Sequence, residues 1–305
     1  MVRAVRRQLC DALVERAARP DLVFLTGDLG FGALEPLRDV LEQRFINAGI
    51  AEQNMVGVAA GMASEGMEPW TYTIAPFCYA RAFEQIRNDV CLHALPVRLL
   101  ANGGGYGYGV MGATHHALED YGVLSTLPNL HLFIPAFDED VAATIAAAGA
   151  LPGPAYIRLG RGELPAGTVA PAYAPWRRLR AGTGPVVVVV GPMAGPTLSA
   201  LEDDAAEIWA VCELPLRVSP PPEAFAAALR RSRRLCVVEE HVAQGSLGQS
   251  LAALCLETGV GLDGFRMLNA QGYPSGTYGS QAFHRQESGL DAPGIRAAVQ
   301  AMGAA

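Results

Sequence analysis

Apolar and polar positions along the chain follow two alternating periods. Short aliphatic and β-branched runs fall near Leu22–Thr26, Phe45–Asn47, Thr71–Ile74, Val97–Ala101, His131–Ile134 and Ala155–Leu159. Between them, apolar residues recur at helical spacing near Val5–Ala18, Ala51–Glu65, Tyr79–His93 and Glu139–Ala148. Strand-like runs alternating with helical stretches predict parallel sheets covered by helices on both faces. The pattern resumes later, with strands predicted at Val186–Val190, Ile208–Cys212, Leu235–Glu239 and Gly264–Leu268. Helices are predicted around Thr197–Ala206, Glu223–Arg231 and Ser246–Thr258. The acidic run Asp138, Glu139, Asp140 is expected to cap the N–H groups of the helix it opens and to complement its dipole.

From Gly162 to Pro185 the periodicity fades and Pro, Ala, Gly and Arg dominate, as expected of a linker. The reading is therefore α/β with two doubly wound domains: residues 1–165, a linker over 166–184, and a second domain over 185–305. The predicted helix from Ala51 carries Gly57, Ala59, Ala60, Gly61, Ala63 and Ser64. Several of its faces lack bulk, which suits either a subunit interface or close packing on its own sheet.

With 305 residues the chain is long enough for two cores. Its net charge of −7 comes without blocks of like charge, which argues against nucleic acid or anionic lipid as a partner. The N-terminal stretch mixes arginines and acids with apolar residues, so it reads as a mature cytoplasmic start rather than a targeting segment. The longest aliphatic run, Val186–Val190, is far too short to span a membrane. Cys10, Cys78, Cys91, Cys212, Cys236 and Cys255 show no metal-ligand spacing and are expected to be buried free thiols.

Three segments stand out as candidates for chemistry. Phe45-Ile46-Asn47-Ala48-Gly49-Ile50-Ala51-Glu52-Gln53-Asn54 places a carboxylate in the first turn of a helix. By itself that position is explained by the helix dipole. Tyr72-Thr73-Ile74-Ala75-Pro76-Phe77, followed by Arg81-Ala82-Phe83-Glu84-Gln85-Ile86-Arg87-Asn88-Asp89, leads from a strand into a helix. Gly112-Ala113-Thr114-His115-His116-Ala117-Leu118-Glu119-Asp120 follows the glycine-rich run Gly103–Gly109. That run lacks both the dinucleotide fingerprint and the Lys-Ser/Thr pair of a P-loop, and reads as a flexible loop carrying His115.

In this order and spacing the three segments resemble the C-terminal half of transketolases. Leu127-Pro128-Asn129-Leu130, Pro135-Ala136 and Tyr156–Gly162 extend the resemblance across the first domain. Val238-Glu239-Glu240-His241 and Gly245-Ser246-Leu247-Gly248 extend it more loosely into the second. The resemblance implies a pyrimidine-binding thiamine-diphosphate domain followed by a transketolase C-terminal domain with a smaller, mostly parallel sheet. It also implies thiamine diphosphate as cofactor, whose reactive carbon the protein must activate and orient.

Glu52 matches the glutamate that exchanges a proton with the cofactor's aminopyrimidine, a role suited to a buried carboxyl. Phe77 matches the aromatic packed on that ring, with Ile74 and Asp28 beside it. His115 matches a histidine on the substrate side, placed for hydrogen bonding or proton transfer, while His116 is expected to face elsewhere. Arg161 and, less securely, Arg7 match arginines that contact a phosphate. Met111, Gly103 and Gly32 stand where family members acting on phosphoketoses place an aspartate, a histidine and a serine.

A Gly-Asp-Gly motif with a downstream Asn, which holds the divalent ion and diphosphate in complete transketolases, is missing. The resemblance therefore implies a split enzyme with no metal ligands in this chain. A separate N-terminal subunit would hold Mg2+ and the diphosphate, in an α2β2 heterotetramer. The expected activity is transfer of a two-carbon ketol or glycolyl-type unit from a ketose phosphate. Two alternatives stay open: a beta subunit of a 2-oxo acid decarboxylating or acyl-transferring thiamine enzyme that passes its unit to a carrier thiol, and a non-catalytic scaffold or regulatory subunit. Donor, acceptor and pathway are not readable from the residues.

Overall fold

The computed structural model describes residues 3–303. Among them, two sheets organise the chain. The first contains β1 (Leu22–Thr26), β2 (Phe45–Asn47), β3 (Glu68–Ile74), β4 (Arg98–Asn102), β5 (His131–Phe133) and β6 (Ala155–Leu159), all parallel. The second contains β7 (Trp176–Arg180), β8 (Val186–Val190), β9 (Glu207–Val211), β11 (Arg234–Val238) and β12 (Gly264–Leu268) in the order β12-β11-β8-β9-β7. β10 (Glu213–Leu214) belongs to neither half cleanly. It leaves the second domain and pairs antiparallel with β5, giving the first sheet the order β10-β5-β6-β4-β3-β1-β2.

Two predicted boundaries change as a result. The stretch 166–184 is not only a linker, because Trp176–Arg180 pairs antiparallel with β9 as an edge strand. Its arginines hid it from a hydrophobic pattern, and an edge strand tolerates them. Arg177 is nonetheless buried and paired with Asp140. Nor does everything after 185 stay with the second sheet, since β10 crosses back.

Strand alternation explains the cores. Val186, Val188 and Val190 face one cluster while Val187 and Val189 face another, because successive side chains of a strand point to opposite sides. In β1, Val23 and Leu25 pack toward helix α3 (Glu52–Ser64) with Met55, Val56 and Ala59. Leu22 and Phe24 pack on the other side, under α1 (Arg3–Arg16) and α2 (Glu35–Leu41), with Leu9, Leu13, Leu37 and Leu41. Both sheets are thus covered on two faces. All six cysteines are free and buried, as expected.

One local prediction needs correction and two are sharpened. Tyr79–His93 is not one α-helix: π-helical turns over Phe77–Arg81 and Ile86–Cys91 flank a single α-turn, Phe83–Gln85. The acids at 138–140 form a 3-10 turn that runs straight into the following helix. Asp140 caps that turn by accepting from the N–H of Phe137, the residue before the turn, and of Ala136, while Asp138 accepts from the N–H of Gly162. On α3, Ala59, Ala60 and Ala63 face the sheet, while Gly57, Gly61 and Ser64 lie on the open side.

What positions the site is the strand order. From β1 the chain moves to β2 on one side, then crosses back to β3 on the other. That reversal makes the β1/β3 boundary a switch point, where a crevice opens beyond the carboxyl ends of the strands.

Candidate active site

At that crevice the ends of β1, β2, β3 and β4 bring together residues far apart in sequence. β1 ends in Thr26, and Gly27 and Asp28 turn away over it. Asp28 adopts a left-handed backbone conformation (φ 57°), which aspartate tolerates better than most side chains. Its carboxylate accepts a hydrogen bond from Asn47 Nδ2 at 2.8 Å, at the end of β2, and Asn47 Oδ1 in turn accepts from the N–H of Gly49. Gly27 is close-packed: a β-carbon there would stand 3.3 Å from Thr73 Oγ1 and 3.5 Å from Glu52 Oε1.

Glu52 opens α3 but does not serve its own helix end. Only 3% exposed, it accepts from Thr73 Oγ1 at 3.0 Å and from Arg81 Nη1 at 3.1 Å, across the crevice on β3 and the turn after it. The dipole explanation for an acid in the first turn is therefore incomplete, since the carboxylate is directed at neighbouring strands. A buried carboxylate is tolerable only with such partners.

Phe77 begins the π-helical turn after β3 and is half-buried. Arg81, four residues on, lies over its ring with Cζ 3.8 Å from the centroid. His115 approaches the same ring edge-on, with centroids 5.2 Å apart. The Tyr108 ring also lies against the imidazole, tilted to it with centroids 5.6 Å apart, and Thr114 Oγ1 is 2.8 Å from His115 Nδ1. Ile74, buried at the end of β3, follows Thr73 directly, so its side chain leaves the strand on the face opposite the one from which Thr73 reaches Glu52. Thus the structure brings Glu52, Phe77 and His115 into one neighbourhood through Arg81, with Asp28 at its border and Ile74 not among the groups in contact.

The loop bearing His115 is tied down rather than flexible. Gly105 and Ala117 exchange backbone hydrogen bonds, and the Tyr106 N–H donates to Glu240 Oε1 at 2.7 Å. A β-carbon on Gly105 would come within 2.7 Å of the Glu240 carboxyl, so glycine permits this approach between the domains. His116 diverges as expected and anchors the loop. Its Nε2 lies 2.8 Å from the Gly109 carbonyl, which can only accept, so Nε2 carries the proton and Nδ1 accepts from Tyr273 OH at 2.9 Å. Burial pushes its pKa down.

Beside this neighbourhood lies a cavity of about 920 Å3 between the domains, lined by Asn102, Gly103, Tyr108, Arg161, Arg6 and Arg285 among others. Gly103 and Arg161 reach it as expected. Arg7 does not: it lies exposed beside Asp11 on the outer face of α1, and its neighbour Arg6 faces the cavity instead. One helical position, roughly 100° of rotation, separates the two. Arg161 also pairs with Glu163. Met111 is exposed on the turn Gly109–Met111, and Gly32 lies in the turn after β1 with open space around it. Glu52, Phe77 and His115 do not line the cavity. Tyr108 joins the two regions, lining one and packing on His115 in the other.

Thr73, Arg81, Tyr108 and Arg6 are site residues that the motifs alone do not single out. Arg81 has a readable signal, since i and i+4 share a helix face. Tyr108 has none, because its contact follows from the loop's path. Among the described residues, no group of three or more His, Cys, Asp or Glu side chains converges as a metal site. None of their helices is long and apolar enough to cross a membrane.

Comparison with known proteins places this geometry. Residues 2–167 match the transketolase pyrimidine-binding domain. The chain is 34% identical to 1-deoxy-D-xylulose-5-phosphate synthase 2 of Geobacter sulfurreducens over 94% of its own length, but spans only 45% of that protein. It is 31% identical to an apulose-4-phosphate transketolase subunit of Actinobacillus succinogenes, covering 90% of both chains. A solved structure described as a split-gene transketolase, inactive β4 tetramer, superposes with a TM-score of 0.84 at 31% identity, over 98% of each chain. The chain belongs to the transketolase family and corresponds to its C-terminal half.

Proposed function

We propose that this chain is the C-terminal subunit of a split transketolase, transferring a two-carbon ketol unit from a ketose phosphate with thiamine diphosphate as cofactor. Residues 1–165 would form its pyrimidine-binding domain and 185–305 its C-terminal domain, joined through 166–184. The observation that carries the reading is the pairing of a buried carboxylate, Glu52, with an aromatic face, Phe77, at a parallel-sheet switch point. The likeness over almost the full length to a split-gene transketolase supports it.

The residues present fit the aminopyrimidine end of the cofactor. A flat, nitrogen-bearing group already lies on Phe77 and donates to Glu52, which supports a slot suited to that shape and polarity. When bound, thiamine diphosphate supplies a nucleophilic carbon that can carry a two-carbon unit. Glu52 would hold or release a proton at the ring nitrogen, with Thr73 fixing its carboxylate. Phe77 would pack the ring and exclude water, and Asp28 would border the slot. His115, oriented by Thr114 and Tyr108, would bond a substrate oxygen or move its proton. Arg161 and Arg6 would hold the anionic end of the substrate in the adjoining cavity, with Gly103 leaving room. Among the described residues no group of three or more His, Cys, Asp or Glu side chains gathers to hold Mg2+. The Mg2+ and diphosphate end is assigned to an N-terminal transketolase-like subunit, in an α2β2 assembly.

Mixing this chain with that subunit, thiamine diphosphate, Mg2+ and a ketose phosphate should produce ketol transfer. Glu52→Ala should reduce it by about 10²–10⁴-fold, the usual contribution of a positioned proton-transfer group. Full activity in the variant would remove Glu52 from the mechanism. A second reading, an acyl or glycolyl unit handed to a carrier thiol, is favoured by exposed Met111 where phosphoketose enzymes of the family place an acid. Product analysis with a ketose phosphate and with a 2-oxo acid separates the two.

A further inference from the structure

We infer that Arg81 is a built-in stand-in for the cofactor's aminopyrimidine, occupying its place in the chain alone and leaving when the cofactor enters. The inference rests on the proposed function and adds a residue to which that function gave no part. Two contacts define Arg81. Its Nη1 donates to Glu52 Oε2 at 3.1 Å, and its Cζ lies 3.8 Å from the centroid of the Phe77 ring. An aminopyrimidine bound for proton exchange needs the same two surfaces, a carboxylate oxygen for a ring nitrogen and an aromatic face for the ring. Guanidinium is planar, delocalised and rich in N–H donors, so it satisfies both surfaces as the heterocycle would. Both groups cannot lie there together.

Burial explains why a stand-in is useful. Glu52 is 3% exposed, and its other oxygen is taken by Thr73, so without Arg81 a charged oxygen would face the crevice unpaired. A buried carboxylate left without a partner is costly. Phe77 would likewise lose the cover on one face. The other end of the contact is loose. The Arg81 side chain is 46% exposed, and it touches the two groups that the cofactor also needs. An exposed arginine in such a pair gives up little on release. The slot is thereby held in shape and neutral, and the incoming ring has to compete for it.

Calorimetric titration of thiamine diphosphate into the complex of this chain with its N-terminal subunit, in the presence of Mg2+, reads that competition. Arg81→Ala should tighten the cofactor's dissociation constant roughly two- to fivefold relative to the wild-type complex, as expected for release of one partly exposed ion pair. Arg81→Lys, which keeps the charge without the flat fork, should fall between them. Glu52→Gln should remove the difference between arginine and alanine at position 81, because the competing contact is already weakened. Melting curves of each variant complex before titration establish that the assembly is intact. Weaker or unchanged binding in Arg81→Ala would overturn the stand-in role and make Arg81 a holder of the bound cofactor or a bystander. If the wild-type complex takes up no thiamine diphosphate, the proposed function itself falls, and this inference with it.

Discussion

Glu52 illustrates how much one side chain's meaning depends on its partners. In the first turn of α3 its carboxylate could have served the helix end, yet it faces Thr73 and Arg81 across the crevice. Thr73→Val keeps the shape and removes the donor to Oε1. Urea unfolding should then show a loss of about 1–3 kcal/mol, the usual cost of an unsatisfied buried polar group. Phe77→Ala removes the face on which a ring would pack. Aromatic pairs contribute about 0.5–1.5 kcal/mol beyond the area they bury, so thiamine diphosphate should bind the reconstituted enzyme up to roughly tenfold less tightly, measured by calorimetry. An unchanged affinity would place the ring elsewhere. Of these residues, Glu52, Phe77 and His115 are legible in the sequence through motif and order. Thr73 acquires significance only from the register of β3 against its neighbours, and the i, i+4 spacing of Arg81 from Phe77 is silent about its second partner, Glu52.

Among the elements, strands are easier to read than helices. Leu22–Thr26 and Val186–Val190 lie where the apolar pattern puts them, because strands buried on both faces read as near-continuous hydrophobic runs, and Ala155–Leu159 does so despite its buried Arg158. β7 escapes for the opposite reason: its Arg177, Arg178 and Arg180 obscure the pattern, and its pairing with β9 supplies the order. Tyr79–His93 has helical periodicity that does not distinguish α from π turns, so the break between Phe77–Arg81 and Ile86–Cys91 is invisible in it. The short helix Asp120–Leu124 is held by tertiary partners. Arg158 Nε and Tyr156 OH both donate to Asp120 Oδ2, at 2.9 and 2.8 Å, with Asp120 wholly buried. Asp120→Ala leaves the Arg158 charge buried without its partner. It should cost about 3–5 kcal/mol of stability in denaturant unfolding, and it should loosen the His115 loop that ends at this helix.

At the scale of the whole molecule, the two domains are joined by buried ionisable groups. Glu240 sits between them, accepting from Tyr106 N–H, Gln281 and Arg285. Burial works against its charge, but Arg285 and the Gln281 amide outweigh it and hold its pKa below the usual carboxylate range. His241 and His116 have pKa values pushed down, above all by burial. All three shifts have the same sign for stability. A depressed folded-state pKa means that the unfolded chain binds more protons, so the contribution is present above the unfolded value and lost as pH falls. For the histidines that loss begins near pH 6.5, about their unperturbed value. Melting temperature should therefore hold from about pH 8 to 7 and decline below about 6.5, with a further drop as Glu240 protonates below about pH 4.5. A profile flat to about pH 4 would contradict the neutral buried state of His116 and His241.

The α/β class, the alternation of elements and the buried thiols were determined by the sequence alone, because each depends on local pattern that physical chemistry reads one segment at a time. Glu52, Phe77 and His115 came forward as candidates through the order and spacing of motifs that resemble those of transketolases. The tertiary structure alone decided that β10 crosses between domains and that Arg6 rather than Arg7 faces the cavity. It also decided that the loop carrying His115 is fastened to Glu240 and Tyr273, and that Arg81 lies in the slot between Glu52 and Phe77. These depend on strand order, helix rotation and packing between residues tens of positions apart. Apart from Arg81 over Phe77, four positions apart, the partners in these contacts lie too far apart for one window along the chain to contain both.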